Sequence, residues 1–420
     1  MAQAKQDMGT GSIKKLMLQL MIPAVVAQVV NLLYNIVDRI YIGHIAGIGA
    51  AALTGVGLFT PILMLLNAFA MLVGAGGAPR TAIALGQGDR QQAEKIISNS
   101  FTVLMFFAVV LTIGFYAGAP VLLRLFGASD ATLPYALSYS RIYIAGSVFV
   151  LVVLGMNPFI TTQGFAKTSM LTTVIGAVIN IILDPILIFG FGLGVRGAAI
   201  ATVIGQLIGA AAALWFNRVK NPVIHVRLKD YHFLWQDVAD IYRVGLPTIV
   251  MQAIGSVMTF AVNGILLGVS STAVAFFGIY YKLQNFLMMP VNGLEQAAIP
   301  VVGFNYGSGQ SDRVKQAWKV LLPTGVAFAL CGTAVFQLFP AQLLGLFSAS
   351  DEMLAFGVPA LRIISVTFLF AVTTILCGYF ASGLGNGVVN MIGGALRQLV
   401  VLVPCLCLLY TSPSPRDRSL

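Results

Sequence analysis

An internal duplication constrains the fold of this chain more than any other feature of its sequence. The segment Phe126–Ile142 (FGASDATLPYALSYSRI) resembles Phe347–Ile363 (FSASDEMLAFGVPALRI), which lies 221 residues further along. Other pairs recur in the same order after small insertions and deletions: Gly86 and Gly88 with Gly307 and Gly309, Pro185 with Pro404, and Pro23 and Gln28 with Pro247 and Gln252. The sequence therefore predicts two copies of one structural unit.

The composition places both units in a membrane. Hydrophobic residues make up 58% of the chain, charged residues only 9%, and the mean hydropathy is +0.91. A soluble domain would carry about 25% charged residues. Apolar stretches of about 20 residues or more, each long enough to cross a bilayer as a helix, occur at 16–42, 51–79, 97–122, 134–158, 168–192, 196–217, 240–268, 273–302, 319–340, 356–381 and 388–410. We predict an all-α membrane protein in which each unit forms a lobe of six helices.

The basic residues predict the orientation of the chain. If the N-terminus is cytoplasmic, the cytoplasmic loops hold most of the lysine and arginine, as membrane topology requires. The opposite loops keep only Arg39, Arg124 and Arg196, with Arg141 and Arg362 near helix starts. Because the net charge of +10 is scattered through these short loops, it does not indicate nucleic-acid binding.

Six spans per unit return the chain to its starting side, so the two lobes should have the same orientation. We assign 1–217 to the N-lobe, 218–239 to a cytoplasmic linker and 240–410 to the C-lobe. Nothing after Pro404 matches the sixth span, Val195–Phe216, and the tail TSPSPRDRSL at 411–420 is polar. We therefore expect eleven of twelve helices, followed by a non-native tail.

Few polar side chains lie inside the predicted spans, and four of them reach the same depth. Asp38, Asn180, Asp184 and Thr202 all fall in the outer half of the first lobe. An ionised side chain at bilayer depth costs about 2.5 to 3.5 kcal/mol, so such residues usually face a partner or a cavity. Two carboxylates, an amide and a hydroxyl suit a hard cation or a shared proton. Alternatively, Asp38 pairs with Arg39 at the interface and Asp184 caps the kink at Pro185.

The matching positions of the second unit, near Val262 and at Leu399 and Val403, are apolar. The duplication thus predicts that ion chemistry was kept in the N-lobe only.

Other polar residues of the spans are weaker candidates for a central substrate cleft. Those of the first span and of its repeat are Gln28, Asn31, Tyr34, Asn35 and Gln252. Such residues can equally form hydrogen bonds between helices. Glu295 on the eighth span is a candidate for a substrate-cation or proton site; the alternative is an acid that touches water near the cytoplasmic end.

The sequence offers no catalytic machinery. It contains no phosphate loop, zinc motif or array of nucleophiles. Gly86-Gln87-Gly88-Asp89 has the G-x-G-D form of intramembrane aspartyl proteases, but it lies in a polar loop where Asp89 is predicted to cap the next helix. We expect neither an enzyme nor a cofactor.

Four segments together resemble the multidrug and toxic compound extrusion (MATE) family of transporters. They are IPAVVAQVVNLLYNIVDRIYIGHIAG, LGQGDRQQAEK, NIILDPILIFGFGLGVRGAAIAT and IPVVGFNYGSG, and the resemblance runs from about Lys14 to Tyr410. It implies two six-helix lobes around a V-shaped cavity, and antiport of organic cations or drugs against H⁺ or Na⁺. It also implies a multi-pass protein of a bacterial inner membrane, which we expect to be a monomer.

The resemblance assigns roles to residues of the N-lobe. The ion-site pattern of prokaryotic members maps onto Asp38, Asn180, Asp184 and Thr202, which would be the ligands of Na⁺ in a sodium-coupled protein, and Tyr139 is the nearest match to a tyrosine of the fourth helix. Members that use acids in the seventh and tenth helices match less well, because those spans lack a central acid here.

Two alternative functions remain open at this stage. A flippase for lipid-linked sugars from the same superfamily would need a cationic cleft to hold a diphosphate. A receptor or intramembrane enzyme would transport nothing.

Overall fold

A computed structural model describes residues 8–220, 223–224, 226, 235–267, 270–347 and 349–397. In this part of the chain all regular structure is helical. The helices are α1 (Ile13–Gly43), α2 (Gly49–Leu58), α3 (Thr60–Gly86), α4 (Arg90–Leu125), α5 (Leu133–Ala145), α6 (Ser147–Thr162), α7 (Ala166–Pro185), α8 (Val195–Trp215), α9 (Trp235–Leu267), α10 (Ser271–Gly307), α11 (Ser311–Leu338), α12 (Pro340–Gly345), α13 (Asp351–Val366), α14 (Phe368–Gly383) and α15 (Gly387–Ala395).

The helices coincide with the spans predicted from the sequence, and the chain is a multi-pass membrane protein. Six helical stretches of the described residues are long and apolar enough to cross a membrane, and two bent pairs bring the number to eight. Helices α9 and α10, of 33 and 37 residues, also exceed the length of about 20 residues that a span requires. Helix α15 begins where the eleventh span is predicted. The rest of that span, the expected absence of a twelfth helix, the tail at 411–420 and half of the linker at 218–239 lie outside the described residues.

The duplication of the sequence is also a duplication of the structure. The chain bends by 54° between α5 and α6, at Gly146, and by 42° between α13 and α14, at Thr367. These breaks, each predicted as part of one unbroken span, are again 221 residues apart. Glycines with a positive φ recur at that separation too: Gly88 (80°) with Gly309 (72°), and Gly164 (91°) with Gly385 (83°). A turn that needs this left-handed conformation accepts glycine far more readily than any other residue.

Helix α1 belongs to the cores of both units. Its N-terminal part, with Leu16, Met17 and Leu20, packs in a buried cluster with Val291 and Leu294 of α10. Its C-terminal end contributes Ile42 to the large buried cluster of the first unit. Any displacement of α1 is therefore felt in both units, because packed cores transmit strain.

The two units also touch directly, backbone to backbone, where α3 crosses α10. A Cβ atom on Gly86 would collide with the carbonyl oxygen of Phe304, and one on Gly307 would collide with that of Ile83. Contacts of the same kind join α3 to α9 at Gly76 and Gly245. Such close approach is possible because glycine has no side chain, and small residues serve the same purpose in other membrane interfaces.

Candidate functional site

Asp38 is buried near the C-terminal end of α1, with only 7% of its surface exposed. Its neighbour Arg39 is exposed, and the charge of Arg39 acts on the Asp38 carboxyl group, so the interfacial pairing stays an alternative for this residue. The Oδ1 atom of Asp38 is buried and accepts no hydrogen bond. Leaving a buried carboxylate oxygen unpaired is costly. A proton on the carboxyl group, a cation or a water molecule beside it would satisfy this atom.

Helices α7 and α8 supply the other members of the predicted set. The Nδ2 group of Asn180 donates to Oδ1 of Asp184 and to Oγ1 of Thr202, both at 3.2 Å. The Thr202 hydroxyl in turn donates to the carbonyl oxygen of Ala198 at 3.0 Å. These bonds occupy the donor groups of Asn180 and Thr202 and leave two oxygen acceptors unpaired. They are Oδ1 of Asn180 and Oδ2 of Asp184, which are buried without a hydrogen-bond partner. The Asp184 side chain thus accepts a hydrogen bond from Asn180. The alternative, in which Asp184 caps the kink at Pro185, did not include this bond.

Glycines explain why α7 and α8 come close enough for these bonds. A Cβ atom on Gly205 would lie 2.5 Å from the carbonyl oxygen of Gly176 and 3.5 Å from Cβ of Asn180. One on Gly176 would lie 2.8 Å from the carbonyl oxygen of Gly205. Because no real Cβ atom tolerates such contacts, the spacing of the two helices depends on glycine at both positions. This spacing sets the reach between Asn180 and Thr202.

The kink after Asp184 also has a local cause. Proline lacks an amide hydrogen and disturbs the helix around it. Pro185 is the last α-helical residue, and the chain continues as a π-helical turn, Ile186–Gly190. Gly197 of α8 packs against this turn, since a Cβ atom there would lie 2.7 Å from the carbonyl oxygen of Leu187.

Tyr139 and Tyr34 complete the surroundings of the acids. Tyr139 on α5 is 6% exposed, and its ring packs edge-on against Phe59 at 5.7 Å between centroids. Its hydroxyl interacts with Thr202 and lies in the field of Asp38. Tyr34, one turn before Asp38, interacts with Gln206 on α8. Asp38 and Asp184 are themselves close enough for their charges to interact. Side chains from α1, α5, α7 and α8 therefore form one polar cluster, the ion-site cluster: Asp38, Tyr139, Asn180, Asp184 and Thr202.

A cavity of about 140 Å³ adjoins the ion-site cluster and is lined by Asn180 and Thr202. At roughly 30 Å³ per water molecule, it has room for a small chain of waters. Its other polar lining residues are Asn31, Tyr34, Asn35, Asn67, Tyr143, Thr172, Thr173 and Gln206. Gln206 was not predicted, although its position four residues after Thr202, on the same face of α8, was a usable signal.

A second cavity, of about 160 Å³, shares Asn31 and Thr173 with the first. It contains Gln28 of α1 and Gln296 of α10, so it lies where the two units face each other. Four of the weaker candidates, Gln28, Asn31, Tyr34 and Asn35, thus line cavities. The side chain of Gln252 lies outside the described part of the structure.

Glu295 does not join the ion-site cluster. It is half-buried on α10 and interacts with the Tyr379 hydroxyl of α14, which also donates to Oδ1 of Asn292 at 3.2 Å. This second polar group is contained within the C-terminal unit. It neighbours Gln296, and hence the larger cavity between the units.

The ion-site cluster offers oxygen ligands of several kinds. Carboxylate, amide and hydroxyl oxygens suit a hard cation, and transition metals prefer imidazole or thiolate. Within the described residues, no group of three or more His, Cys, Asp or Glu side chains could hold a metal ion. The unpaired oxygens fit a hard monovalent cation or a proton shared between carboxyl groups.

Comparison with known proteins agrees with this architecture. The model of the MatE family matches residues 23–186 and 247–406, one match in each unit. The Multidrug export protein MepA of Staphylococcus saprophyticus is 27% identical over 398 residues, which is 94% of this chain and 87% of that protein.

Solved structures are similar over nearly the whole chain. A crystal structure of MATE in complex with MaD3S has 27% sequence identity and a TM-score of 0.89, and the alignment covers 96% of this chain and 90% of that one. An outward-facing multidrug resistance MATE family transporter of the MOP superfamily has 26% identity and a TM-score of 0.88, with coverage of 95% and 89%. With both repeats matched by one family model, the chain belongs to the MatE family of efflux transporters.

Proposed function

We propose that this chain is a secondary multidrug efflux antiporter that exchanges organic cations or drugs for H⁺ or Na⁺ and binds the coupling ion at the ion-site cluster. It works as a monomer in a bacterial inner membrane with its N-terminus in the cytoplasm. Membership of an efflux family and the name of the staphylococcal relative, a multidrug export protein, support drug transport. The distribution of basic loop residues supports the orientation.

One observation carries the placement of the coupling ion. Three buried oxygens from different side chains have no hydrogen-bond partner: Oδ1 of Asp38, Oδ1 of Asn180 and Oδ2 of Asp184. A Na⁺ ion bound among them would satisfy all three and a proton would satisfy two of them, whereas departure of either ion leaves two acids close together. The free energy of the site therefore changes strongly with ion occupancy, as a driving site requires.

Helix α1 supports a route from ion binding to the substrate. Its C-terminal end carries Asp38, and its N-terminal part is packed into the core of the second unit. Loading the site draws Asp38 towards α7 and α8, and α1 bends or repacks between the two cores. Pro23 lies within α1, and a proline inside a helix is a common site of bending. This movement shrinks the cavity of the N-lobe and releases substrate outward.

Substrate cations are attracted by Glu295, an acid of the second unit. Glu295 lies beside Gln296, which lines the cavity between the units. Gln28 and Asn31 on the opposite wall offer amide groups for orientation. The ion and the substrate thus occupy separate sites that communicate through α1, and linkage requires each to weaken the other's binding by the same factor.

Efflux measured from cells tests this proposal. Cells that express the chain are loaded with a fluorescent organic cation, and efflux is compared for wild type, Asp38→Asn and Asp184→Asn at several sodium concentrations and pH values. Asp130→Asn is the matched control, because Asp130 is an exposed acid that makes only a 3.8 Å ion pair with Arg124. We expect efflux to fall at least tenfold in both site variants at unchanged protein level, and to persist in the control.

The ion dependence then identifies the driving ion. Efflux that rises with external sodium indicates Na⁺, and efflux that follows the pH gradient alone indicates H⁺. Full efflux in both site variants would refute the assignment of the cluster. The flippase alternative gains no support from the two cavities next to the ion-site cluster, since amides, hydroxyls and apolar groups line them and no described cationic residue does.

A further inference from the structure

An open cavity at the N-terminal end of α1 differs in character from the two described above. Its volume is about 540 Å³, within the range of about 300 to 1,000 Å³ that is usual for small-molecule sites. Three lysines line it: Lys14 and Lys15 from α1 and Lys167 from α7. None of the other described lining residues, Ser12, Leu18, Gln19, Ile22 and Pro23, is acidic. We call this site the lysine cavity.

Apolar side chains continue the lysine cavity along α1. Leu18 is 40% exposed and Ile22 is 55% exposed. Lys14, Leu18 and Ile22 are each four residues apart, so they form one stripe along the helix. At a rise of 1.5 Å per residue, the stripe runs about 12 Å from the ammonium end into the apolar part of the molecule. One face of α1 thus presents a cationic group at the N-terminal end of the helix, followed by the apolar side chains of Leu18 and Ile22.

This combination selects a particular kind of ligand. A free anion would use the lysines and leave Leu18 and Ile22 in contact with lipid tails, and a neutral lipid would cover the apolar stripe without neutralising three cations. An anionic phospholipid does both, because its phosphate and its acyl chain have the same order along the membrane normal. Basic pockets between transmembrane helices are suited to such headgroups. We propose that the lysine cavity is a binding site for the headgroup of an anionic phospholipid, which bridges α1 and α7.

A lipid bound at the lysine cavity would affect transport, because it bridges α1 and α7. Helices α1 and α7 carry Asp38 and Asp184 towards their C-terminal ends, far from the lysine cavity. Ala166, next to Lys167, packs in the same buried cluster as Leu16 and Leu20 of α1. A bound lipid holds the two N-terminal ends together. It therefore stabilises the arrangement seen here, in which α1 is seated on the second unit.

Native mass spectrometry of the full chain in detergent tests the site. Phosphatidylglycerol and phosphatidylcholine with identical acyl chains are titrated separately, and the dissociation constant of the first bound lipid is measured. The site variant is Lys14→Gln/Lys15→Gln/Lys167→Gln, whose three side chains are exposed, so that folding is not at risk. A charge-keeping variant replaces the same residues by arginine. The matched control is Lys95→Gln/Lys315→Gln/Lys319→Gln, which removes equal charge from α4 and α11.

We expect phosphatidylglycerol to bind at least tenfold more tightly than phosphatidylcholine. Each basic residue near an anionic lipid contributes on the order of fivefold in affinity, so the site variant should weaken the first bound phosphatidylglycerol by on the order of a hundredfold. The arginine variant and the control should stay within about threefold of wild type. Equal weakening in the control would show that diffuse surface charge attracts the lipid, and equal affinity for both lipids would show that the headgroup charge is not recognised. Either result overturns the proposal.

A second experiment with inorganic phosphate distinguishes binding of a lipid from binding of a free anion. Its effect on the thermal unfolding temperature is measured for wild type and for the site variant. Absence of a stabilisation specific to wild type at millimolar phosphate supports the lipid. Stabilisation by phosphate equal to that by phosphatidylglycerol, and lost in the site variant, would make the lysine cavity a site for soluble anions and would refute the assignment to lipid.

Discussion

Arg313 ties the segment before α1 to the second unit, and one substitution removes most of this connection. Its Nη2 group donates to the carbonyl oxygens of Met8 and Gly11, at 2.8 Å and 2.7 Å. Its Nε group donates to Oδ1 of Asn305 at 2.7 Å. The buried side chain of Asn305 also donates to the carbonyl oxygen of Met8, at 3.1 Å. The guanidinium group thus holds the chain just before α1 against the junction of α10 and α11.

The structure sets the magnitude expected from Arg313→Ala. Two hydrogen bonds from this charged donor to the segment before α1 are lost, and because the side chain is half-buried, the lower end of the range for charged donors applies. A net contribution of about 1.5 kcal/mol for each of the two bonds gives about 3 kcal/mol in total. Since 1.4 kcal/mol corresponds to a factor of ten, the equilibrium for local opening at the start of α1 should shift about a hundredfold.

Hydrogen exchange of the backbone amides measures this opening. The amide of Leu16, which donates to the carbonyl oxygen of Ser12 in the first turn of α1 at 3.0 Å, should exchange about a hundredfold faster in Arg313→Ala than in wild type. Amides in the middle of α4 should be unaffected. Lys315→Ala is the control, because Lys315 is exposed and makes only a 3.6 Å ion pair with Asp312. Unchanged exchange at Leu16 in Arg313→Ala would refute the conclusion that this arginine secures the segment.

Three further substitutions test local features of the structure. Gly205→Ala should push α8 away from Gly176 and break the hydrogen bond between Asn180 and Thr202. We expect coupled efflux to fall at least tenfold while the protein stays folded. Efflux at the wild-type rate would show that the close approach of α7 and α8 is dispensable. Gly307→Ala should force α10 away from α3, because the Cβ atom of the new alanine meets the carbonyl oxygen of Ile83. A disulfide cross-link engineered between α3 and α10 should then form at least fivefold more slowly than in the protein with Gly307. An unchanged rate would contradict the predicted displacement. Asp89→Ala removes the carboxylate that accepts from the amide of Gln92 at 2.8 Å and should lower the free energy of unfolding by about 1 kcal/mol, seen as a lower midpoint of thermal unfolding; a midpoint equal to that of wild type would show that this cap adds nothing.

Several local features could be predicted from the sequence because they depend on neighbouring residues alone. The predicted cap at Asp89 is confirmed by its bond to the amide of Gln92. The matched glycines of the two units, Gly88 and Gly309, occupy corresponding turns with similar φ angles. The bends at Gly146 and Thr367 were not predicted, since continuous hydropathy across a break makes two helices look like one.

The candidate ion site was predictable in part. The depth of Asp38, Asn180 and Asp184 follows from counting residues along each helix, and depth limits which side chains can meet. Rotation of each helix about its axis, which decides whether they do meet, is not determined by local sequence. Gln206 was missed for this reason, because a polar residue in a span faces a cavity or a helix interface only according to its neighbours.

The sequence by itself determined the class of the protein: a duplicated bundle of membrane-spanning helices with the signature of the MatE family. The length of the apolar stretches, the uneven distribution of basic residues between loops and the internal repeat are properties of the chain before it folds. They can therefore be recognised from the sequence alone. Only the tertiary structure decided that the Asn180 amide lies between Asp184 and Thr202, that α1 is packed into the cores of both units, and that three lysines surround one cavity. These depend on how closely helices approach, and that distance is set by contacts such as Gly176 with Gly205, where two residues far apart in the sequence must both lack a side chain.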